Sequence, residues 1–444
     1  MAKHIERVKY LIIGNSAGGI GATEAIREVD KQGTLAIVSD EPYAAYCRPL
    51  ISEYLARECS LKGMLFRPAD FYKKNKIHTF LGSKVKRLDV KAHTMRLANG
   101  RGIVWEKLLL ATGGLPIVPS IEGIGGKGVF TFATIDDAKA IGHYLNGAAR
   151  AVVIGGGLIG VSVTEALVKR GVKVIIIEMK ERILNTILDE KVSALGEKTL
   201  RQAGVSLITG HTVTKIDSAN ATNGVILNDG QVVPCDLVIV AIGVRPRIEI
   251  VPDTEIKIIR GIVVDRHMAT SNASVYACGD VAEAYDFSCG DNRLTPVWPN
   301  AYLGGRIAGL NMAGAEAQYQ GGIAMNALKY FGLEVVSAGI VNPPDDSYEV
   351  ISNSYDDNYH KLVLKEGLVV GMIFSGDIEK AGIVYSLIKD RINVSGFKQA
   401  LITRDFGLIS LPEEMWRSRL EMPTSGVISQ AVSLEQSEET VIGK

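Results

Sequence analysis

The chain has 444 residues, 47% of them hydrophobic and 22% charged, which excludes a disordered chain and leaves ample material for large buried cores. At roughly 150 residues per domain the length suggests about three domains. Forty-nine basic side chains balance forty-nine acidic ones, so the chain lacks the basic excess with which proteins meet nucleic acid or an anionic membrane. In chain order, the N-terminal MAKHIERVKY is charged and the apolar run after it stops at Gly14, so no signal peptide is expected. Val8–Ile13 reads as a buried strand. It runs into Gly14-Asn15-Ser16-Ala17-Gly18-Gly19, a helical stretch through Glu24 and Ile26, and a second strand, Thr34–Val38, closing with Ser39-Asp40-Glu41. Later the same order returns. Ala151–Ile154 is a strand, Gly155-Gly156-Gly157-Leu158-Ile159-Gly160 a turn, Val161–Lys169 a helix, and Val172–Ile177 a strand ending at Glu178.

Each copy is a β-α-β unit with a carboxylate 26 residues beyond Gly14 or 23 beyond Gly155. The first glycine permits the tight turn, the second lets backbone N–H groups approach a pyrophosphate, and the third lets helix and strand pack closely. The helix N-terminus turns its positive end to the phosphates. The terminal acid, Asp40 or Glu178, accepts from a ribose hydroxyl. One such motif is weak evidence; two complete copies in one chain are strong. Ser16 stands at the second glycine position of the first copy and is small enough to keep the approach open. Glu178 favours NADH over NADPH, because a carboxylate repels a 2′-phosphate.

Lys107–Gly113, KLLLATG, is a strand running into a tight turn at Ala111-Thr112-Gly113, and Leu237–Gly243, LVIVAIG, is its counterpart. Thr270–Asp280, TSNASVYACGD, reads as an apolar strand ending in a carboxylate. Asp280 there suits a polyol such as the ribityl chain of a flavin; it equally suits a helix N-cap, since Val281-Ala282-Glu283 follows. In the last third, Lys361–Phe374 alternates and turns at Glu366-Gly367, a hairpin signal, and Ile378–Ile392 has helical spacing. The final stretch from Met422 is rich in Ser, Thr and Glu and reads as a mobile tail. Five cysteines without a C-x-x-C pair and seven scattered histidines argue against a disulfide framework, an iron–sulfur centre in this chain or any metal site. No apolar run approaches a membrane span, and a soluble, cytoplasmic protein is expected.

With these pieces on the page, the chain resembles the flavin-dependent pyridine nucleotide–disulfide oxidoreductase superfamily. The resemblance rests on Gly14–Gly19, Ala111–Gly113, Gly155–Gly160, Ala241–Gly243 and Tyr276–Asp280, in that order. It implies an α/β fold of two Rossmann-like domains and an α+β interface domain. FAD is expected on residues 1–115 and 245–320, NADH on an inserted 116–244, an interface domain over 321–420 and a tail over 421–444. Tyr46-Cys47-Arg48-Pro49-Leu50-Ile51-Ser52 resembles the flavin-side loop of the ferredoxin- and rubredoxin-reductase, nitrite-reductase and NADH-oxidase-like branch. By that resemblance Asp40 takes the ribose-binding acid position, with Glu41 beside it among the FAD-binding residues, Val85 meets the adenine, Arg48 and Pro49 the flavin, Asp280 the ribityl chain, and Trp298 the flavin ring through its backbone. Gly243 belongs to the NAD site. Relatives are commonly homodimers.

Departures matter. Glu53 stands where many relatives have Lys, Ser162 where many have Glu, and Ala133 where some have Arg, and the C-x-x-x-x-C pair of the glutathione- and lipoamide-type enzymes is absent. The expected function is an FAD-dependent NADH oxidoreductase passing electrons to a small iron–sulfur carrier such as a ferredoxin or rubredoxin. Two alternatives stay open. One is a Cys47-dependent NADH oxidase, peroxidase or coenzyme A-type disulfide reductase, with Arg48 favouring the thiolate; the bland reading of Cys47 is a small residue filling the loop. The other is a flavin electron-transfer subunit without independent turnover. Cys59, Cys235, Cys278 and Cys289 read as packing residues. The basic run Phe71–Lys76 is either a docking face for an acidic carrier or a solvated turn.

Overall fold

The computed structural model describes residues 5–218, 222–251 and 254–420; the expected tail lies outside them. The first apolar run becomes the strand Ile5–Ile13, which extends back to Ile5 because its leading residues pair with Gly102–Val104. It lies inside a seven-stranded sheet in the order Ile77–Phe80, Leu35–Val38, Ile5–Ile13, Gly102–Leu110, Thr94–Leu97, Val85–Asp89. Val275–Ala277 pairs in parallel with the far end of Gly102–Leu110. The chain therefore rejoins its first sheet after building a second one.

That second sheet carries the other fingerprint. Its five strands run Ser206–Thr209, Lys173–Glu178, Arg150–Ile154, Leu237–Val240, Val129–Thr131, all parallel. Parallel strands covered on both faces read as unbroken apolar runs, which is why Ala151, Val152 and Val153 are fully buried. The repeat goes further than the sequence pattern. Each unit also adds antiparallel strands before its last parallel one: Val85–Asp89 with Thr94–Leu97, and Val213–Asp217 with Gly224–Leu227 and Val232–Pro234. The chain leaves the first unit through Gly114–Pro116 and returns through Val244–Pro246, two short strands paired antiparallel.

The last third is a five-stranded antiparallel sheet ordered Met325–Tyr330, Leu333–Gly339, Leu368–Ser375, Asn358–Lys365, Glu349–Tyr355. The expected hairpin forms with Lys365 opposite Leu368, and Glu366 and Gly367 both adopt positive φ, 53° and 77°, as a type I′ turn demands. The expected helix is present but shorter, Ala381–Lys389. One sheet face packs Tyr330, Val335, Tyr359 and Ile373 into the core of the second unit. A buried ion pair fixes that junction: Asp189, whose side chain caps the Glu190–Gln202 helix, accepts from Tyr359 (2.8 Å) and Lys361 (3.2 Å). Thr270–Asp280 departs from expectation. Only Val275–Ala277 is strand, because Thr270 and Asn272 turn the preceding backbone. After one 3-10 turn, Gly279–Val281, the chain enters the strand Ala282–Asp286, so Asp280 caps no α-helix. Among the described residues no helix is long and apolar enough to cross a membrane.

Candidate functional site

The two glycine turns superpose in their hydrogen bonding. Gly14 donates to Val38 (2.9 Å) and Gly155 to Ile177 (2.8 Å). Both have positive φ, 124° and 107°, which a side chain would strain. A Cβ on Gly19 would stand 2.0 Å from the Gly14 carbonyl oxygen, and one on Gly160 1.9 Å from that of Gly155. The third glycine of each copy thus lets helix backbone touch turn backbone. Ser16 and Gly157 are the N-caps of the helices Ala17–Val29 and Leu158–Lys169, and neither supplies a side-chain cap. The leading N–H groups there lack intrahelical acceptors. No heavy atom lies within 4 Å of where a Gly157 Cβ would stand, so a diphosphate has room.

Around the first turn, Gly14, Asp40, Val85 and Thr112 line one cavity of about 310 Å³ together with Ser83, Leu115 and Arg247. Asp40 is paired with Arg247 at 2.5 Å. Burial works against its ionisation, yet Arg247 holds the carboxyl below the usual range. Gly113 has φ 72° and open space above it. Ala111 donates to Ile13 and presses its carbonyl onto Gly14. The Asp280 carboxyl accepts from its own N–H; burial raises its pKa, and the Arg48 charge and that N–H oppose the rise. The remaining acceptor sites of this carboxylate fit a hydroxylated chain. Glu178 instead turns to its own turn, accepting from Gly156 (2.7 Å) and Lys180 (2.8 Å). Each carboxylate oxygen keeps a lone pair for a ribose hydroxyl. Gly243 accepts from Ile117 and has φ 112°.

The loop after Asp40 is arranged differently from expectation. Glu41 accepts from Tyr46 at 2.5 Å and pairs closely with Arg48, so both oxygens point into the loop. Arg48 also donates to the Ala133 carbonyl (3.0 Å) and its side chain remains 35% exposed. Its guanidinium is absent from the surroundings that set the Cys47 thiol. Burial, with the Glu53 charge adding, pushes that thiol above the ordinary cysteine value against the Leu50 N–H. Arg48 therefore does not supply the thiolate-favouring charge that adjacency suggested. Pro49 lies in the 3-10 turn Arg48–Leu50, and Trp298 opens the Trp298–Met312 helix, edge-on to Phe66 at 5.2 Å.

Cys278 and Cys235 are fully buried, and burial pushes both thiols to about 12. Cys278 Sγ stands 2.7 Å from where a Gly18 Cβ would be. Cys289 departs from the packing expectation and is exposed. In the basic run, Phe71 is buried, Tyr72 bonds Ala45 and Asn15, and Lys74 pairs with Asp70. Arg247 escaped the sequence reading, and Tyr46, quoted there only as the start of the flavin-side loop, gained no role of its own. No local signal marks Arg247 or the Tyr46 contact, since Arg247 meets Asp40 across 207 positions and Tyr46 meets Ile135 across 89.

Two helix ends, each behind a glycine turn and near an acid that closes the following β-α-β strand, fit a protein that holds two dinucleotides. Comparison with known proteins narrows the class. Residues 8–321 match the pyridine nucleotide-disulphide oxidoreductase family, and residues 325–392 the rubredoxin NAD+ reductase C-terminal domain. The chain belongs to the pyridine nucleotide-disulphide oxidoreductase family, and it is an FAD-dependent NAD(P)H oxidoreductase that binds FAD and NADH. It is 29% identical over 424 residues to the NADH-dependent phenylglyoxylate dehydrogenase subunit epsilon of Aromatoleum evansii, covering 94% of this chain and 100% of that one. It is 29% identical over 374 residues to the NADH-rubredoxin oxidoreductase of Clostridium acetobutylicum, covering 84% and 92%. Its fold is that of putidaredoxin reductase in a covalent complex with putidaredoxin, with a TM-score of 0.83 at 24% identity over 93% of this chain and 99% of that one.

Proposed function

We propose that this chain carries electrons from NADH through FAD to a small iron–sulfur protein of the rubredoxin or ferredoxin kind. The observation that carries the reading is the match of residues 325–392 to the rubredoxin NAD+ reductase C-terminal domain, joined to a complete two-nucleotide core. Bound FAD supplies a ring that takes two electrons as hydride from nicotinamide and releases them one at a time. The chain's own work is placement. On this reading the Gly14–Gly19 turn and its helix hold the FAD diphosphate, Asp40 the ribose, Val85 and Arg247 the adenosine walls, and Asp280 the ribityl hydroxyls. Gly155–Gly160 and Glu178 hold NADH in preference to NADPH. Residues 1–115 with 245–320, 116–244 and 321–420 are then the FAD, NADH and interface domains of a cytoplasmic homodimer.

The raised Cys47 thiol and the Arg48 guanidinium turned to Glu41 weigh against a thiol-based oxidase or disulfide reductase. A second reading rests on one observation, the end-to-end match to a relative named as a subunit: the chain is then the NADH-oxidising member of a larger assembly. Anaerobic turnover with NADH and purified rubredoxin or ferredoxin separates the two. Bleaching of the iron–sulfur protein at least as fast as reduction of an artificial dye supports the first. Rapid dye reduction with neither carrier accepting electrons removes it and leaves the subunit reading.

A further inference from the structure

The loop that carries Cys47, Arg48 and Pro49 belongs to the first unit in sequence but packs with the second. Tyr46, Ile51, Leu55 and Met64 are buried in the core that contains Ile135, Val153 and Leu167. At its start the loop grips a helix of the NADH-carrying unit. The Ile135–Tyr144 helix is capped from its own side by a capping box, Thr134 with Asp137, and Asp137 also accepts from Ala133 N–H. The first helical N–H, that of the fully buried Ile135, is met from across the boundary by the Tyr46 hydroxyl at 3.1 Å. That hydroxyl donates its own proton to Glu41. Arg48, held by the same carboxylate, donates to the Ala133 carbonyl two residues earlier. Glu41 thus organises a hydroxyl acceptor and a cationic donor that together hold both polar faces of one short strap.

The covalent connection between the units is slender: the paired strands Gly114–Pro116 and Val244–Pro246. Two such strands transmit torsion, so the mutual angle of the units needs a second fixed point, and the strap is one. We propose that Tyr46, oriented by Glu41, is a positioning residue for hydride transfer, gripping the Ala133–Ile135 strap so that the NADH-carrying unit presents nicotinamide to the flavin-side loop at a fixed approach. The proposal rests on the family activity and not on the identity of the acceptor.

The test uses full-length, FAD-loaded Tyr46→Phe, with Glu41→Gln as the second variant. The rate at which NADH bleaches the yellow flavin band without oxygen is followed at rising NADH, with flavin content and amide exchange of residues 132–137 measured alongside. In Tyr46→Phe the limiting bleaching rate falls by about 10- to 100-fold, the cost of misplacing reacting groups. The NADH dissociation constant stays within about twofold, the split that marks loss of orientation rather than of binding. Flavin content is kept, and the Ile135 amide exchanges faster than in the parent. Glu41→Gln shows the same pattern, weaker. An unchanged limiting rate, or a raised dissociation constant at unchanged rate, overturns the proposal. So does loss of flavin or of folding in both variants, which makes the grip purely structural. Failure of the parent protein itself to bleach with NADH counts against the family activity, a result distinct from failure of the variants alone.

Discussion

The two glycine turns share a backbone and differ in where their acids point. Glu178 bonds inward, to Gly156 and Lys180, so the second turn is closed upon itself and leaves space over Gly157. Asp40 bonds outward, to Arg247 on the segment by which the chain returns from the second unit. The first turn is also buttressed by Asn15, which donates to Tyr43 O and accepts from Tyr72. The first turn is tied through its acid and Asn15 to distant side chains; the second is bonded within its own unit. The same fingerprint can therefore serve a resident cofactor and an exchanging one, and the surroundings decide which.

The largest effect expected from breaking this comparison comes from the third glycines. Gly19→Ala places a methyl against the Gly14 carbonyl and should destabilise the protein by about 1–3 kcal/mol, the usual cost of overpacking. It should also empty the protein of flavin. Gly160→Ala, with the same clash in the other copy, should leave a yellow protein that NADH no longer bleaches at ordinary concentrations. Thermal midpoints and flavin content check the pair. Next in size, Arg247→Ala leaves Asp40 without its cation. FAD should bind more weakly by about 1.5–3 kcal/mol, the worth of a hydrogen bond to a charged group. Titration of the apoprotein with FAD reads that shift, while NADH affinity stays put.

Glu178→Ala should have a smaller effect and a different readout. It removes acceptors for Gly156 and Lys180 and for the ribose, raises the NADH dissociation constant by about 10-fold and narrows the preference over NADPH. Cys47 gives the smallest. Its thiol is raised by burial and by Glu53, so at any given pH less of it is thiolate than for a free cysteine, and the midpoint of its alkylation rate against pH lies above the ordinary value. Glu53→Gln removes one raising charge and moves that midpoint down. An alkylation midpoint below the ordinary thiol value in the parent would revive the thiol-based reading.

The parts legible in the sequence are those whose physics is local. Glycines at fixed offsets, most of the β-branched runs and the Glu366-Gly367 turn announce themselves within a short window and produced the expected turns and strands. Asp40, Val85 and Thr112, scattered in the chain, meet around one cavity because the β-α-β order dictates it. What stayed hidden depends on tertiary approach. Arg247 and Tyr46 are ordinary residues until the crossover and the loop bring them to their partners. Glu41, next to Asp40, looked like its companion; folding turned it to Tyr46 and Arg48. Thr270 and Asn272 shortened an apolar strand because their turn hydrogen bonds competed with pairing.

The helix Ala17–Val29 lies backbone to backbone against Trp298–Met312: a Cβ on Gly305 would fall 2.1 Å from Gly18 O, and one on Gly309 2.4 Å from Ala22 O. The helix Ala17–Val29 must wait for a mate made nearly three hundred positions later. A nascent chain arrested before Met312 cannot complete this helix pair, whereas one arrested after Val240 already owns every strand of the five-stranded parallel sheet. The inserted module can mature while its host is still unfinished.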